Sequence, residues 1–226
     1  HLTRSFAIAA ALARAFRVVF LNGGPFPEDA LVPAGIEVVN LPPMGMEDGH
    51  HLVSRGTLTV EQARHQRSQA VLAALRSLRP AALLIELFPF GRKKFAFELL
   101  PLIKAARRTP GQKPLVCSLR DILVGARPDQ EHHDQRARWI ADRYFDAVLV
   151  HADPSFARLE ESFRPTTPLK TPVRYTGFVI PDRVNGSNAR RGSHLLVSAG
   201  GGAAGYALFR TALEALPALW NERKMT

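Results

Sequence analysis

The sequence has little cysteine and lacks long apolar runs, and each shortage excludes a class of protein. Cys117 is its one cysteine, so an internal disulfide framework is excluded, which suits a reducing cytoplasm. No apolar run approaches the roughly 20 residues that a membrane-spanning helix needs. The first residues are too alanine-rich and amphipathic for a signal peptide. We therefore expect a cytoplasmic globular protein in which Cys117 is a buried thiol.

Motifs of several enzyme classes are missing as well. The sequence has no G-x-S-x-G elbow, no C-x-x-C pair and no H-x-x-x-H pattern with a carboxylate. Its three consecutive glycines are not followed by the lysine of a P-loop, and no D-x-D is present. We expect no metal site and no other resident cofactor, and these absences disfavour a metal-held nucleoside diphosphate.

Acidic residues are outnumbered by basic ones, 20 against 30, which gives a formal net charge of +10. Such a surface attracts nucleic acid, anionic lipid head groups or phosphorylated ligands. The arginines are spread through the chain, so a generally basic surface and contact with an anionic membrane both explain them. Nucleic acid is the weakest interpretation, because the few aromatic residues are not interleaved with the basic ones.

The apolar pattern predicts helices that alternate with strands. The predicted helices are residues 3–15, 59–79, 95–108 and 129–144, with a short one from Pro154; the predicted strands are residues 17–21, 35–41, 81–87, 114–119, 146–151 and 173–176. Residues 44–56 are predicted to be a long loop. This alternation predicts an α/β fold with a parallel sheet, in which ligands bind at the carboxyl ends of the strands.

Polar residues that directly follow strands are therefore the first candidates for a site. Glu86 ends an apolar run, where a carboxylate is costly unless it is paired or faces a cleft. It is thus either functional or bonded to a neighbouring loop. Arg120 and Asp121 follow the next strand and either bind a substrate or pair with each other. His151 is placed to contact a ligand, although helix capping by Asp153 is the expected role of that turn.

A glycine-rich turn stands near the end of the chain, within residues 194–216. A short apolar run ends there at Gly200, Gly201 and Gly202. Gly205 follows, and a helical pattern begins. Glycine lets the backbone approach an anion closely, and a helix N-terminus offers unpaired N–H groups. The spacing also fits G-x-G-x-x-G, so a nicotinamide-dependent oxidoreductase is an alternative. That fingerprint, however, usually stands at the start of the first unit of its domain.

Six segments in this order resemble a known group: HLTRSFAIAAALAR, ELFPFGRKKF, SLRDIL, DAVLVHADP, VRYTGFV and VSAGGGAAGYAL. Together they are similar to predicted bacterial glycosyltransferases related to glycosyltransferase family 28, and the resemblance covers nearly the whole chain. It implies two Rossmann-like domains of GT-B type facing across a cleft, the second of them truncated. Residues 1–180 would hold the acceptor and lack their first strand, residues 181–193 would be a linker, and residues 194–226 would begin the donor domain.

The same resemblance implies where the site residues lie. Gly200, Gly201 and Gly202 match the loop that faces the donor phosphates, with Gly205 just after it. His1 matches the histidine of an N-terminal glycine-rich turn.

Glu86 and Asp121 lie in matching motifs, so His1, Glu86 and Asp121 are the candidate catalytic residues. The glycines expected before His1 are absent, as is the acidic residue that would hold the donor ribose. We therefore expect residues to be missing on both sides of this chain, and the chain alone to be inactive.

The activity that the resemblance implies is metal-independent glycosyl transfer of hexosyltransferase type. The donor would be a nucleotide sugar, usually of uridine diphosphate, and the acceptor an unknown hydroxyl compound. A nucleotide-sugar epimerase of the same fold and a non-catalytic binding module are the alternatives. The expected partners are donor and acceptor, with peripheral contact to the inner face of an anionic membrane and none with nucleic acid.

Overall fold

The computed structural model describes residues 2–27, 30–47, 51–111, 113–120, 123, 125, 128–180, 197–198 and 205–223. The chain divides into two compact units, His1–Asp182 and Arg183–Thr226. The described part of the first unit contains eight strands and five helices, and that of the second contains one long helix.

From α2 to β8 the helices and strands alternate as the apolar pattern predicts, whereas β1 to β4 follow one another without a helix between them. The helices are α1 (Leu2–Ala13), α2 (Val60–Leu78), α3 (Ala96–Arg108), α4 (Gln130–Tyr144), α5 (Leu159–Ser162) and α6 (Tyr206–Arg223). The strands are β1 (Val18–Asn22), β2 (Ile36–Asn40), β3 (Met44–Glu47), β4 (His51–Ser54), β5 (Leu83–Glu86), β6 (Leu115–Leu119), β7 (Ala147–Val150) and β8 (Val173–Tyr175). A 3₁₀ turn at Lys93–Phe95 leads into α3.

The described strands of the first unit form three sheets. Strands β5, β6, β7 and β8 pair in that order, and every pair is parallel. Strands β1 and β2 form a separate parallel pair, and β3 and β4 an antiparallel one. The predicted α/β fold class with a parallel sheet is confirmed. Because the strands run the same way, their carboxyl ends lie at one edge of the four-stranded sheet.

Two apolar clusters hold this unit together. The larger one packs the sheet strands against α3 and α4; its fully buried members include Ile103, Leu115 and Val148. The smaller one lies between α2 and α3, and both Leu21 of β1 and Leu83 of β5 pack against it. Cys117 is buried in the larger cluster, and this burial raises the pKa of its thiol far above the ordinary value. The predicted buried thiol is thus confirmed.

The ends of α2 show why the sequence folds locally as predicted. Thr59 accepts a hydrogen bond from the backbone N–H of Gln62, and the Gln62 side chain accepts one from the backbone N–H of Thr59. This reciprocal pair satisfies two donors that a helix start leaves free. At the other end Arg79 has a left-handed φ of 43°, and Pro80 cannot continue the helix.

Residues 44–56 correct the prediction of a long loop, because they contain the β3–β4 hairpin. Met44 pairs with Ser54, and Glu47 pairs with His51. The glycines and polar residues of this stretch suggested irregular structure, whereas the pairing is local and needs only four residues on each side. Gly45 fits here because an added Cβ would lie 3.1 Å from Nε of Arg55.

A buried ion pair ties α2 to α3 and to the ends of the small sheet. Arg67 is 3% exposed and donates from Nε and Nη2 to the two carboxylate oxygens of Glu98, at 2.7 and 2.6 Å. Its Nη1 donates to the carbonyl oxygens of Gly23 and Pro42, at 2.6 and 2.8 Å. These bonds satisfy a charge that would otherwise be costly to bury, and they fix the loop that follows β1.

Candidate functional site

The carboxyl edge of the four-stranded sheet gathers a polar residue from each strand. Glu86 ends β5 and stands beside Ser118 of β6 in the register. His151 follows β7, and Thr176 follows β8. Their backbones are tied across this edge, since Leu119 accepts from the amide of His151 and Val150 accepts from that of Thr176. We call Glu86, Ser118, His151 and Thr176 the edge cluster.

Two arginines bind the carboxylate of Glu86. Arg4, in the first turn of α1, places Nη2 3.0 Å from Oε1, and Arg92 places Nη2 2.5 Å from Oε2. The Glu86 side chain is 22% exposed, so these bonds are partly shielded from water. The structure therefore pairs Glu86 with a neighbouring loop and with a helix, the structural alternative of the prediction, while keeping it at the edge where ligands of such sheets bind.

His151 is the centre of a hydrogen-bond chain across three strand ends. Its Nε2 lies 2.8 Å from Oγ of Ser118, and its Nδ1 lies 2.8 Å from Oγ1 of Thr176. The Thr176 hydroxyl donates to the carbonyl of Gly177, at 3.1 Å. Its oxygen then accepts from Nδ1–H, which leaves Nε2 to accept from the hydroxyl of Ser118.

The charge state of His151 follows from its surroundings. Burial lowers the pKa of the imidazole to about 4, Arg4 lowers it further in the same direction, and Glu86 opposes the shift. The ring is therefore neutral at pH 7, in agreement with the tautomer that the hydrogen bonds require. Because both ring nitrogens are engaged, His151 holds the strand ends together and does not present a free base to the edge.

The turn after β5 is shaped by two buried rings. Phe88 and Phe90 are each 1% exposed and belong to the large apolar cluster. The Phe88–Pro89 peptide bond is cis, and Leu87 has a φ of 67°. This turn directs Arg92 back towards Glu86. The two aromatic residues therefore serve the core, and the polar ends of the turn serve the edge.

The predicted short helix from Pro154 is a single turn in the structure, and Asp153 caps that turn: its backbone carbonyl accepts from the amides of Phe156 and Ala157, at 2.9 and 3.0 Å. The carboxylate of Asp153 accepts from the amide and the hydroxyl of Ser155, at 2.8 and 2.6 Å, which closes a tight turn. These bonds lower the pKa of Asp153. The next helix, α5, begins only at Leu159, so Asp153 is too far away to cap it. An aspartate before a proline favours such a turn as much as a helix start.

Most predicted site residues lie outside the described part of the chain. These are His1, Asp121, Gly200, Gly201 and Gly202. Glu86 and Gly205 are described, and Gly205 is buried just before α6. Since Glu86 is in the first unit and Gly205 in the second, each is described within its own unit.

Sequence reasoning missed Arg4, Arg92, Ser118 and Thr176 and ranked His151 below a helix cap. Signals for two of them exist: Ser118 interrupts an otherwise apolar strand, and Thr176 directly follows one. The arginine that reaches across from α1 gave no signal, because Arg4 and Glu86 are 82 residues apart.

A second surface feature is a groove between α2 and α3 with a volume of about 610 Å³. Leu72, Phe97 and Leu100 form its apolar floor. Arg76, Lys104 and Arg108 also line it. These three basic side chains are exposed. Within the described residues no helix is long and apolar enough to cross a bilayer, and no group of three or more His, Cys, Asp or Glu residues is arranged to hold a metal ion.

Comparisons with known proteins give one structural neighbour. It is a UDP-glucosyltransferase from Polygonum tinctorium, capable of glucosylating indoxyl and solved in complex with 3,4-dichloroaniline; it is similar to this chain with 17% identity and a TM-score of 0.46. The match covers 84% of this chain and 52% of that one, so this chain spans about half the length of the neighbour. No protein-family model and no curated protein matches the chain.

Proposed function

We propose that the protein is a glycosyltransferase of hexosyltransferase type. It moves a sugar from a nucleoside diphosphate donor, with uridine diphosphate as the first candidate, to the hydroxyl group of an acceptor. No metal ion takes part. The observation that carries the proposal is the edge cluster, which gathers polar side chains where parallel α/β sheets bind their ligands. The order of the six sequence segments supports it independently.

The donor phosphates bind at Gly200, Gly201 and Gly202, where glycine lets the backbone approach an anion. The amides at the start of the following helix then face the diphosphate, with Gly205 at that start. These backbone N–H groups stabilise the negative charge that grows on the departing diphosphate. The first unit holds the acceptor at the edge cluster.

A base that takes the proton of the acceptor hydroxyl completes the reaction. The candidates from the sequence are His1, Glu86 and Asp121. Two guanidinium groups already bind Glu86, so its role in this proposal is to hold Arg4 and Arg92 at the edge. His1 and Asp121 are then the candidates for proton transfer. His151 and Ser118 keep the strand ends in register.

Release of uridine diphosphate tests this function. The protein in its longest natural form is incubated with a panel of uridine diphosphate sugars and hydroxyl acceptors, in the presence of a chelator. We expect release that needs both donor and acceptor and that the chelator leaves unchanged. Conversion of a donor without any acceptor would identify an epimerase instead. If no donor is converted and no nucleotide binds, the protein is a binding module and the proposal fails.

The α2–α3 groove adds a partner to this proposal. Its exposed cations beside an apolar floor are complementary to an anionic lipid surface, which attracts basic side chains and accepts apolar ones. Contact there makes the protein peripheral to the inner face of a membrane.

A further inference from the structure

Arg4 has a donor group that no partner satisfies. Its Nε is buried and has no hydrogen-bond partner among the described residues. Its Nη2 is engaged with Glu86. A buried donor without a partner is costly and needs an explanation, such as a ligand or ion that belongs there.

The charges around Arg4 favour an anion at that place. Arg4 and Arg92 share the carboxylate of Glu86, so this group of three side chains carries one surplus positive charge. His151 adds none, because its ring is neutral. Arg4 is also held rigidly: α1 fixes its backbone, and Glu86 fixes one arm of its guanidinium. Nε and Nη2 of one guanidinium form a fork that matches two oxygens of a phosphate or carboxylate, and Nη2 has a second N–H that serves Glu86.

We infer that Arg4, with Arg92 beside it, binds an oxyanion carried by the acceptor, a phosphate or a carboxylate group. This inference rests on the proposed function, which makes the bound compound the acceptor of the sugar. The anion fills the place in front of Arg4 Nε and leaves the hydrogen bond from Nη2 to Glu86 intact. The acceptor is therefore an anionic compound whose charged group is bound at the end of β5.

Titration with small anions, followed by NMR, tests the inference without any turnover. The Nε–H resonance of Arg4 in the purified 226-residue chain is recorded against inorganic phosphate, acetate, uridine diphosphate and neutral glucose. We expect a saturable shift with phosphate or with acetate and none with glucose. The anion that binds with the higher affinity identifies the acceptor: phosphate indicates a phosphate ester, and acetate indicates a carboxylic acid.

Variants separate binding from folding. Arg4→Gln and Arg4→Lys should each weaken binding of the effective anion by about tenfold or more, since both lose the fork. The control is Arg17→Gln, which breaks the exposed ion pair of Arg17 with Glu37 (2.7 Å) and should leave the affinity unchanged. Bound anion should also raise the pKa of His151 in the wild-type chain, because it offsets the charge of Arg4.

Three results would overturn the inference. One is the absence of a saturable shift with both phosphate and acetate. Another is a response to uridine diphosphate alone, which would assign Arg4 to the donor. The third is an Arg4 resonance that does not shift with any anion but shifts in Asp121→Asn. This result would show that the carboxylate of Asp121 binds Arg4 Nε. None of these depends on whether uridine diphosphate is released from any sugar donor, so the inference and the proposed function can fail separately.

Discussion

Ser118 and His151 lie on neighbouring strand ends, and Oγ of Ser118 is 2.8 Å from Nε2 of His151. Both side chains are buried, at 3% and 6% exposure. This hydrogen bond, with the one from His151 to Thr176, fixes the side-chain layout of β6, β7 and β8 at the edge. The protein's own hydrogen bonds therefore hold these polar side chains in place.

The pKa of His151 should respond to the charges of Arg4 and Glu86. Arg4→Gln removes a cation that disfavours the imidazolium, so the pKa should rise from about 4 while staying below the ordinary 6.5, because burial is the larger cause. Glu86→Gln removes the opposing anion and should lower it further. NMR titration of the imidazole carbon measures both shifts. Equal pKa values in the two variants would contradict the described arrangement.

Stability should fall with acid because of His151. Its folded pKa is depressed, so the unfolded chain binds this proton first as the pH falls, starting near 6.5 and finishing near 4. The stabilisation is thus present above pH 6.5 and is lost across this window, about 3 kcal/mol in all. Urea unfolding of the wild type and of His151→Gln at each pH measures it. The difference between the two free energies should shrink towards pH 4; a constant difference would contradict the assignment.

Gly23 and Gly24 should respond differently to the same change. A Cβ on Gly23 would lie 2.5 Å from Nη2 of Arg67, whereas a Cβ on Gly24 would meet nothing within 4 Å. Arg67 cannot give way cheaply, because Glu98 and two carbonyl groups hold it. Gly23→Ala should therefore cost about 1–3 kcal/mol of unfolding free energy and Gly24→Ala less than about 0.5. Equal melting temperatures of the two variants would show that the ion pair is not rigid.

The groove between α2 and α3 should carry any membrane binding. Lys104→Glu combined with Arg108→Glu should lower binding to phosphatidylglycerol vesicles by about tenfold or more. Lys170→Glu combined with Arg174→Glu is the matched control, since both residues are exposed and lie outside the groove. Co-sedimentation with vesicles, and with neutral phosphatidylcholine vesicles, measures the effect. An equal loss in both double variants would assign binding to the general charge of the protein.

Much of the fold was accessible from local signals. The strand from Leu115 to Leu119 and the helix start at Thr59 each depend on a few neighbouring residues. The structure has a strand and a capped helix start at these places. The position of Glu86 could be predicted as well, because a parallel sheet brings the carboxyl ends of its strands to one edge. Glu86 was selected for this reason and does lie at that edge.

The contents of the site were harder to predict, because they depend on contacts between distant segments. The bond between Arg4 and Glu86 and the chain from Ser118 through His151 to Thr176 need the register of the strands, which periodicity does not give. The single turn at Asp153 was predicted as a short helix, since the same residue types favour both. Local patterns predict elements, and tertiary pairing decides which side chains meet.

Binding of uridine diphosphate, measured by calorimetry, tests the central claim most directly. That claim is that backbone amides at the triple-glycine turn hold the donor diphosphate. The protein in its longest natural form and its Gly24→Trp variant should bind the nucleotide, whereas its Gly202→Trp variant should lose about tenfold or more in affinity because the tryptophan side chain occupies the place of the phosphates. Equal affinities of Gly202→Trp and the wild type, or no binding by the wild type, would contradict the account.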